Sequence, residues 1–313
     1  MGMRLKDKVA VITGSGRGLG RTYALLMAEE GAKVVVCDVG GGFDGSGASQ
    51  SPADEVVEEI RSRGGTAVAN YDSVATGEGG ENMAKTALDN FGRLDILVNG
   101  AGITRDRMIF NMADEEWDAV MKVHLYGHFY CTRSACRVMR QQKSGRIINI
   151  GSRIATGSVG QCNYGTAKAA IVGLTYSVAR DMGKYGVTCN CVFPLAATRL
   201  MVTPDVLASM EKRKAAGVQT VSRTGEQELP DPETIAPMVV YLATDQAADI
   251  NGQVFFVSGA EITHYAAMAP TKSIFTPADR WTLDELAEVF PATLGKDLIN
   301  PAPPQPPKEK PTT

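Results

Sequence analysis

The 313 residues are 44% hydrophobic and 21% charged, and 32 basic side chains against 35 acidic ones leave a net charge of −3. That balance excludes the basic surplus of an extended nucleic-acid footprint, and no apolar run reaches the roughly 20 residues of a membrane-spanning helix. The six cysteines (37, 131, 136, 162, 189 and 191) form no CxxC pair, so reduced thiols in a cytoplasmic protein are expected, with no metal site.

Along the chain, short β-branched runs alternate with longer helical patterns. Strands are predicted over 8–13, 33–38, 66–72, 94–99, 145–150, 187–193 and 253–258. Most are apolar throughout, the pattern of parallel strands covered on both faces. Amphipathic helices are predicted near 19–30, 53–63, 80–91, 114–140, 163–183 and 233–243. The alternation implies an α/β fold, a doubly wound parallel sheet of about seven strands with helices on both faces. Ligands of such sheets sit beyond the carboxyl ends of the strands. One catalytic domain over 1–265 is expected, then a C-terminal extension over 266–300 with a helix at 281–290 capped by Thr282, and a Pro-rich tail over 301–313. The opening "MGMRLK" carries neither a secretory signal nor a myristoylation pattern, and the closing "PTT" is not a peroxisomal tripeptide.

After the first strand comes "TGSGRGLG", 13–20. The GxGxxG register fails, because its last position falls on Leu19 or Arg21. TGxxxGxG fits, with Gly14, Gly18 and Gly20 in place. Glycines here permit a tight turn and let backbone amides approach a pyrophosphate at a helix N-terminus. Asp38 ends the second strand 18 residues after Gly20, where a carboxylate can accept both ribose hydroxyls of an adenosine and repel a 2′-phosphate. Arg17, inside the turn, pulls toward a phosphate. Asp38 outweighs it, and NAD is the expected cofactor. Behind Asp38, "GGGFDGSGAS" (40–49) holds five glycines.

"NYGTAKAA" (163–170) carries Tyr164 and Lys168 four residues apart on one helical face. A phenol of pKa about 10 is a poor base near neutrality, and a fixed ammonium beside it, together with a positive nicotinamide ring, favours the phenolate and lowers that value. Ser152 ends the strand "INIGS", placed to donate to a carbonyl oxygen or accept from an alcohol. A Tyr and a Lys at this spacing also occur on solvated helices. The conjunction with the glycine turn, Asp38 and a strand-end serine separates this chain from those.

With these motifs the chain resembles the short-chain dehydrogenase/reductase family over roughly 5–262. The family's NNAG motif appears as "NGAG", 99–102. The resemblance implies Tyr164 as acid/base, Lys168 as its electrostatic partner and ribose ligand, and Ser152 as the substrate-orienting hydroxyl. It also implies a turn of Gly14, Arg17, Gly18, Leu19 and Gly20 on the cofactor, Asp72 with Ser73 at the adenine, and the Asn99, Gly100 and Ala101 backbone along the adenosine. Within the family, the stretches "VVVCDVGGGFDGSGAS", "DRMIFNMADEEWDAVMKVHLYGHF" and "FPLAATRLM" look like the (3R)-hydroxyacyl-CoA dehydrogenase domains of type 2 peroxisomal multifunctional enzymes and their stand-alone bacterial relatives. The glycine-rich insertion after Asp38 marks that subgroup. A 3-hydroxyacyl-CoA is the implied substrate. A hydroxysteroid or cyclic alcohol is the alternative within the enzyme class, and a catalytically silent NAD-binding scaffold is the alternative outside it. A homo-oligomer, dimer or tetramer, is implied through the 114–140 and 163–183 helices.

Three further departures from the family pattern stand out. His124 replaces the Asn of the fourth helix, as in the resembling subgroup, and is either a catalytic imidazole or a structural one. His128 belongs to packing or an interface. The span from Ser152 to Tyr164 is 12 positions, one short of the family's usual spacing, with Thr156 as a distant substitute for the serine. Pro194-Leu195 stands where Pro-Gly is usual, and Thr198 is within reach of a nicotinamide carboxamide. The stretch 195–230 reads as a substrate lid. Its "EKRK" (211–214) is either a coenzyme A phosphate contact or a solvated helix face.

Overall fold

The computed structural model describes residues 3–198, 229–277, 279–296 and 298–301. Two compact units are delimited, Met1–Ala266 and Ala267–Thr313. The first is built on one sheet of eight strands, β1 (Val9–Thr13), β2 (Lys33–Cys37), β3 (Thr66–Asn70), β4 (Ile96–Asn99), β5 (Gly145–Ile150), β6 (Val187–Pro194), β7 (Val254–Ser258) and β8 (Glu261–Tyr265). Their order is β3-β2-β1-β4-β5-β6-β7-β8. The first seven pair in parallel, and β8 pairs antiparallel to β7.

Every residue of β1, β4 and β5 is buried, which is why those runs are apolar without alternation. The sequence reading missed β8. Its residues are mostly exposed, so "EITHY" carries no apolar face, and only a hairpin through the left-handed Gly259 brings it to the edge.

Helices cover both faces. On one, α1 (Gly18–Glu29), α2 (Ser51–Ser62) and α7 (Ala236–Ala243) bury Tyr23, Met27, Val56, Ile60, Val239 and Leu242 against the strands. On the other, α3 (Gly77–Phe91), α5 (Gly127–Gln142) and α6 (Cys162–Gly183) bury Met83, Cys131, Met139 and Met182. Each such aliphatic side chain contributes about 1.5–3 kcal/mol by leaving water. The single helix expected over 114–140 is instead α4 (Asp114–Met121), a π-helical turn Lys122–Tyr126, and α5. A single wider turn inside one continuous helical run is too short to show as a separate element in the sequence pattern. The second unit contains α8 (Leu283–Ala292), opened by a capping box between Thr282 and Glu285.

All six cysteines are free. Among the described residues, no helix is long and apolar enough to cross a membrane. The strand order turns outward from β1 on one side and β4 on the other, so a crevice opens above their carboxyl ends.

Candidate active site

The glycine turn leaves β1 at Thr13 and enters α1 at Gly18. A Cβ at Gly14, itself at φ +70°, would lie 2.7 Å from Ala101 Cα, and one at Gly20 would lie 2.1 Å from the Gly14 carbonyl oxygen. Backbone therefore packs on backbone here, and α1 presents its N-terminus to the crevice with no acidic residue in its first turn. That cradle fits a pyrophosphate.

Asp38 follows β2 and is half-buried. Its Oδ2 accepts from the Gly16 amide at 2.8 Å and its Oδ1 from the Gly40 amide at 2.7 Å. The carboxylate is thus fixed by two backbone donors and keeps a lone pair on each oxygen, the requirement for receiving a ribose diol. Gly16, which the motif reading left out, supplies one of the two clamps. Asp72 is held by the side-chain amides of Asn70 and Asn82 at 2.8 and 3.0 Å. The Arg17 guanidinium reaches the Gly41 carbonyl at 3.4 Å.

Loop 40–49 does not hang free. Gly41, Gly42 and Gly45 line the crevice, the Thr104 amide donates to the Phe43 carbonyl at 3.1 Å, and Arg105 Nε donates to the Asp44 carbonyl at 3.0 Å. It roofs the end of the cleft that holds Asp38.

Thr13 organises the opposite wall. Its hydroxyl accepts from the Gly100 and Ala101 amides at 3.0 and 3.1 Å. A Cβ at position 100 would stand 2.8 Å from the Thr13 carbonyl oxygen, so the glycine of NGAG suits this close approach. Asn99 turns into the core, where its amide donates to Asn149 at 2.9 Å and Thr132 at 3.0 Å. Asn149 in turn donates to Thr175 at 2.9 Å.

At the other end stand Ser152, Tyr164, Lys168 and His124. Lys168 Nζ donates to the Ile150 carbonyl at 2.6 Å and lies 5.4 Å from the centre of the Tyr164 ring. Burial pulls the amine down to about 8. The expectation that this ammonium lowers the tyrosine is not met in the protein alone. Burial pushes the Tyr164 phenol up to about 12, opposed by a hydrogen bond from Ser152. Desolvation is the largest effect, and the Asp106 carboxylate adds to it. Ser152 also accepts from the Ile154 amide at 3.2 Å, capping the short turn Arg153–Thr156.

His124 sits at the centre of the π turn, 1% exposed, with its ring edge-on to Tyr164 at 5.1 Å between centroids. Its Nε2 meets the Ile103 backbone, at 3.1 Å from the amide and 2.8 Å from the carbonyl. Burial holds the imidazole well below its ordinary range, and the Lys168 charge adds to this. His124 is therefore a neutral ring packed on the tyrosine. His128 is buried too, and its imidazole is pushed down to about 3, which places it in packing within the chain.

These groups share one open cleft of about 270 Å³. Gly14, Arg17, Gly18, Leu19, Gly20, Asp38, Asp72, Ser73, Gly100, Ala101, His124, Ser152, Tyr164, Lys168 and Thr198 all line it; of the expected site residues, Asn99 alone stands behind it. Thr156 turns away, its hydroxyl donating to the Arg153 carbonyl at 2.9 Å. The lid segment (195–230) falls mostly, and "EKRK" (211–214) wholly, on 199–228, outside the described residues. Thr13, Gly16 and Arg105 were missed because their partners lie 22 to 88 positions away.

The profile of the short chain dehydrogenase family matches residues 8–206. A putative short-chain type dehydrogenase/reductase of Mycobacterium tuberculosis is 46% identical over 263 residues, 84% of this chain and 86% of that protein. A second M. tuberculosis protein, named hydroxyacyl-CoA dehydrogenase ChsB1, is 41% identical over 83% of this chain and 80% of its own length. The solved structure of full-length peroxisomal multifunctional enzyme type 2 from Drosophila melanogaster superposes with a TM-score of 0.70 at 33% identity. It covers 93% of this chain, which spans about half (46%) of that larger one.

Proposed function

The chain belongs to the short chain dehydrogenase family, and from that premise we propose that it is an NAD-dependent dehydrogenase of 3-hydroxyacyl-coenzyme A thioesters. One observation carries the reading: a single cleft joins a doubly clamped Asp38 at one end to Ser152, Tyr164 and Lys168 at the other. The choice of NAD over NADP rests on the Asp38 carboxylate, which would repel a 2′-phosphate. The choice of thioester rests on likeness to a relative named hydroxyacyl-CoA dehydrogenase.

In this reading the glycine turn and the N-terminus of α1 would hold the pyrophosphate. Asp38 would hold the adenosine ribose, Asp72 and Ser73 the adenine, and Lys168 and Thr198 the nicotinamide half. When bound, the cofactor supplies the hydride acceptor. The chain's own residues do the rest. Ser152 hydrogen-bonds the substrate oxygen and fixes its direction. Tyr164 takes the hydroxyl proton during oxidation and returns one during reduction. Lys168, anchored on the Ile150 carbonyl, keeps a positive charge beside the phenol and stabilises it when ionised. His124 walls off the tyrosine from the side of Ile103.

We extend the proposal to a homo-oligomer. Tyr126 and Phe129, at the end of the π turn and the start of α5, are 49% and 41% exposed, with Arg133 stacked 5.0 Å above Phe129. Light scattering tests that part.

The activity test follows absorbance at 340 nm with NAD+ and NADP+ in parallel, offering (3R)- and (3S)-3-hydroxyacyl-CoA thioesters beside free steroid and cyclic alcohols. Turnover of the (3R)-thioesters with NAD+ is expected. Turnover of free alcohols alone would remove the coenzyme A assignment. Cofactor binding without turnover of any alcohol would replace the enzyme with a scaffold.

A further inference from the structure

The short segment Ile103–Arg107 touches both ends of the cleft. On one side it holds the glycine-rich loop: the Thr104 amide donates to the Phe43 carbonyl at 3.1 Å and Arg105 Nε to the Asp44 carbonyl at 3.0 Å. On the other it holds the start of α6. The Arg105 carbonyl accepts from Asn163 Nδ2 at 2.9 Å, Asp106 Oδ2 from Gln161 Nε2 at 2.8 Å, and the Arg107 amide donates to the Gly160 carbonyl at 2.7 Å. Asn163 is wholly buried, and its Oδ1 accepts from the amide of Tyr164 itself at 2.7 Å. Arg105 is thus the one residue of the segment whose side chain grips the loop and whose main chain grips the residue next to the tyrosine.

We propose that Arg105 is a positioning residue, a strut through which the seating of loop 40–49 over the adenosine end of the cleft sets the position of Tyr164 at the reacting end. The physical reason is short and continuous. Three hydrogen bonds, through the half-buried Arg105 side chain and the fully buried Asn163 side chain, link the Asp44 carbonyl to the Tyr164 backbone. Loop 40–49 is glycine-rich; it is tied at its base by the Gly40 amide on Asp38 and the Ser49 amide on the Val39 carbonyl, and its Phe43–Asp44 tip is held by Thr104 and Arg105. When the tie is cut, segment 103–107 loses its hold on one side and the first turn of α6 relaxes with it. A displacement of this kind at an acid/base is costly in rate even when small.

A merely local clasp makes a different prediction, and hydrogen exchange separates the two. The full chain and R105M are compared without any cofactor, by mass spectrometry of peptides covering 40–49 and 160–168. The strut predicts exchange faster by about threefold or more in both regions, since each loses part of the same small opening free energy. R105K, whose ammonium can still donate to the Asp44 carbonyl, recovers part of the protection in both, and it carries the same comparison should R105M not fold. Faster exchange confined to 40–49 would overturn the proposal, as would no change in either region. The kinetic arm alone rests on the dehydrogenase reading. At saturating NAD+, kcat of R105M should fall about 3- to 10-fold while KM for the thioester stays within about twofold. An unchanged kcat with a raised KM for NAD+ would leave a local clasp. If wild type turns over none of the substrates offered, the reading of its activity fails and the exchange result still decides the strut.

Discussion

Lys168 Nζ and the Ile150 carbonyl oxygen stand 2.6 Å apart, in a place where the ammonium is 4% exposed. The lysine is therefore held by a strand-end carbonyl two residues before Ser152, and burial pulls its amine from near 10.5 to about 8. The sign of the resulting pH dependence follows from proton counts. Between about pH 8 and 10.5 the unfolded chain holds a proton that the folded chain has released, so this lysine's contribution to stability rises with pH. It costs most below pH 8, where the folded protein must bury the charge. Replacing it in K168M removes that dependence. The stability of wild type minus K168M should climb across the window, by up to about 1.4 kcal/mol per pH unit. Thermal melts of both proteins at pH 7, 8, 9 and 10 measure it; groups not coupled to Lys168 cancel, and Cys191, whose thiol the Lys168 charge draws down, is replaced by alanine in both proteins so that it drops out. A flat difference would mean that the buried amine keeps an ordinary affinity for its proton.

Tyr164 sits at about 12, so in the protein alone the phenol is neutral across the working range. Oxidation, which requires the tyrosine to accept a proton, should therefore accelerate as pH rises from 6 to 10, and reduction should not. Y164F should lose about 100- to 10,000-fold in kcat in either direction while binding NADH within about twofold of wild type, read by fluorescence titration. A loss of binding equal to the loss of rate would assign the tyrosine to the cofactor and not to proton transfer.

Asp38 is expected to set cofactor choice. D38A removes the negative charge and leaves the Gly16 and Gly40 amides to water, with Arg17 exposed beside them. The ratio of kcat/KM for NAD+ over NADP+ should fall by at least about tenfold. D38N keeps the size but can clamp only one amide through its oxygen, so it should shift the ratio and also loosen the turn. An unchanged ratio in D38A would move the basis of discrimination elsewhere in the cleft.

Much of this site was readable as linear pattern because its chemistry comes in short spacings. Tyr164 and Lys168 share a helix face, and Gly14 to Gly20 form one turn. Asp38 closes a strand whose apolar run announces its end. Most of the seven parallel strands were readable from apolar runs buried on both faces, as in β1, β4 and β5. What stayed hidden depends on distant chain meeting chain. Thr13 is one more polar residue until the Gly100 and Ala101 amides arrive on it, 87 and 88 positions later. The glycine loop reads as slack until Thr104 and Arg105 dock on it. The depression of the Tyr164 phenol was expected from the nearby ammonium together with a positive nicotinamide ring. In the protein alone desolvation raises the phenol instead, and desolvation depends on packing that no local spacing reveals. The π turn escaped because His124 occupies a position that a regular helix would also have buried.

That turn is what makes Gly102 and His124 a matched pair. A Cβ at Gly102 would lie 2.5 Å from His124 Cε1 and 3.2 Å from Nε2, and the imidazole has Tyr164 on its other side. It cannot retreat without moving the tyrosine. G102A should therefore cost about 1–3 kcal/mol by overpacking and reduce kcat as the ring is pushed onto Tyr164. H124A should also cost stability, by leaving a cavity and an unpartnered Ile103 amide. In the double variant the new methyl enters the space that the ring has vacated, so the two costs should fall short of their sum by about 1 kcal/mol or more. Chemical denaturation of the four proteins in the cycle measures this coupling. The same cycle bears on the role of the imidazole. Since burial keeps His124 neutral far below its ordinary range, the pH–rate profile of wild type should show no limb near 6.5 that H124N removes. If such a limb is present and disappears in H124N, His124 takes part in proton transfer, and its packing against Tyr164 is only half of its role.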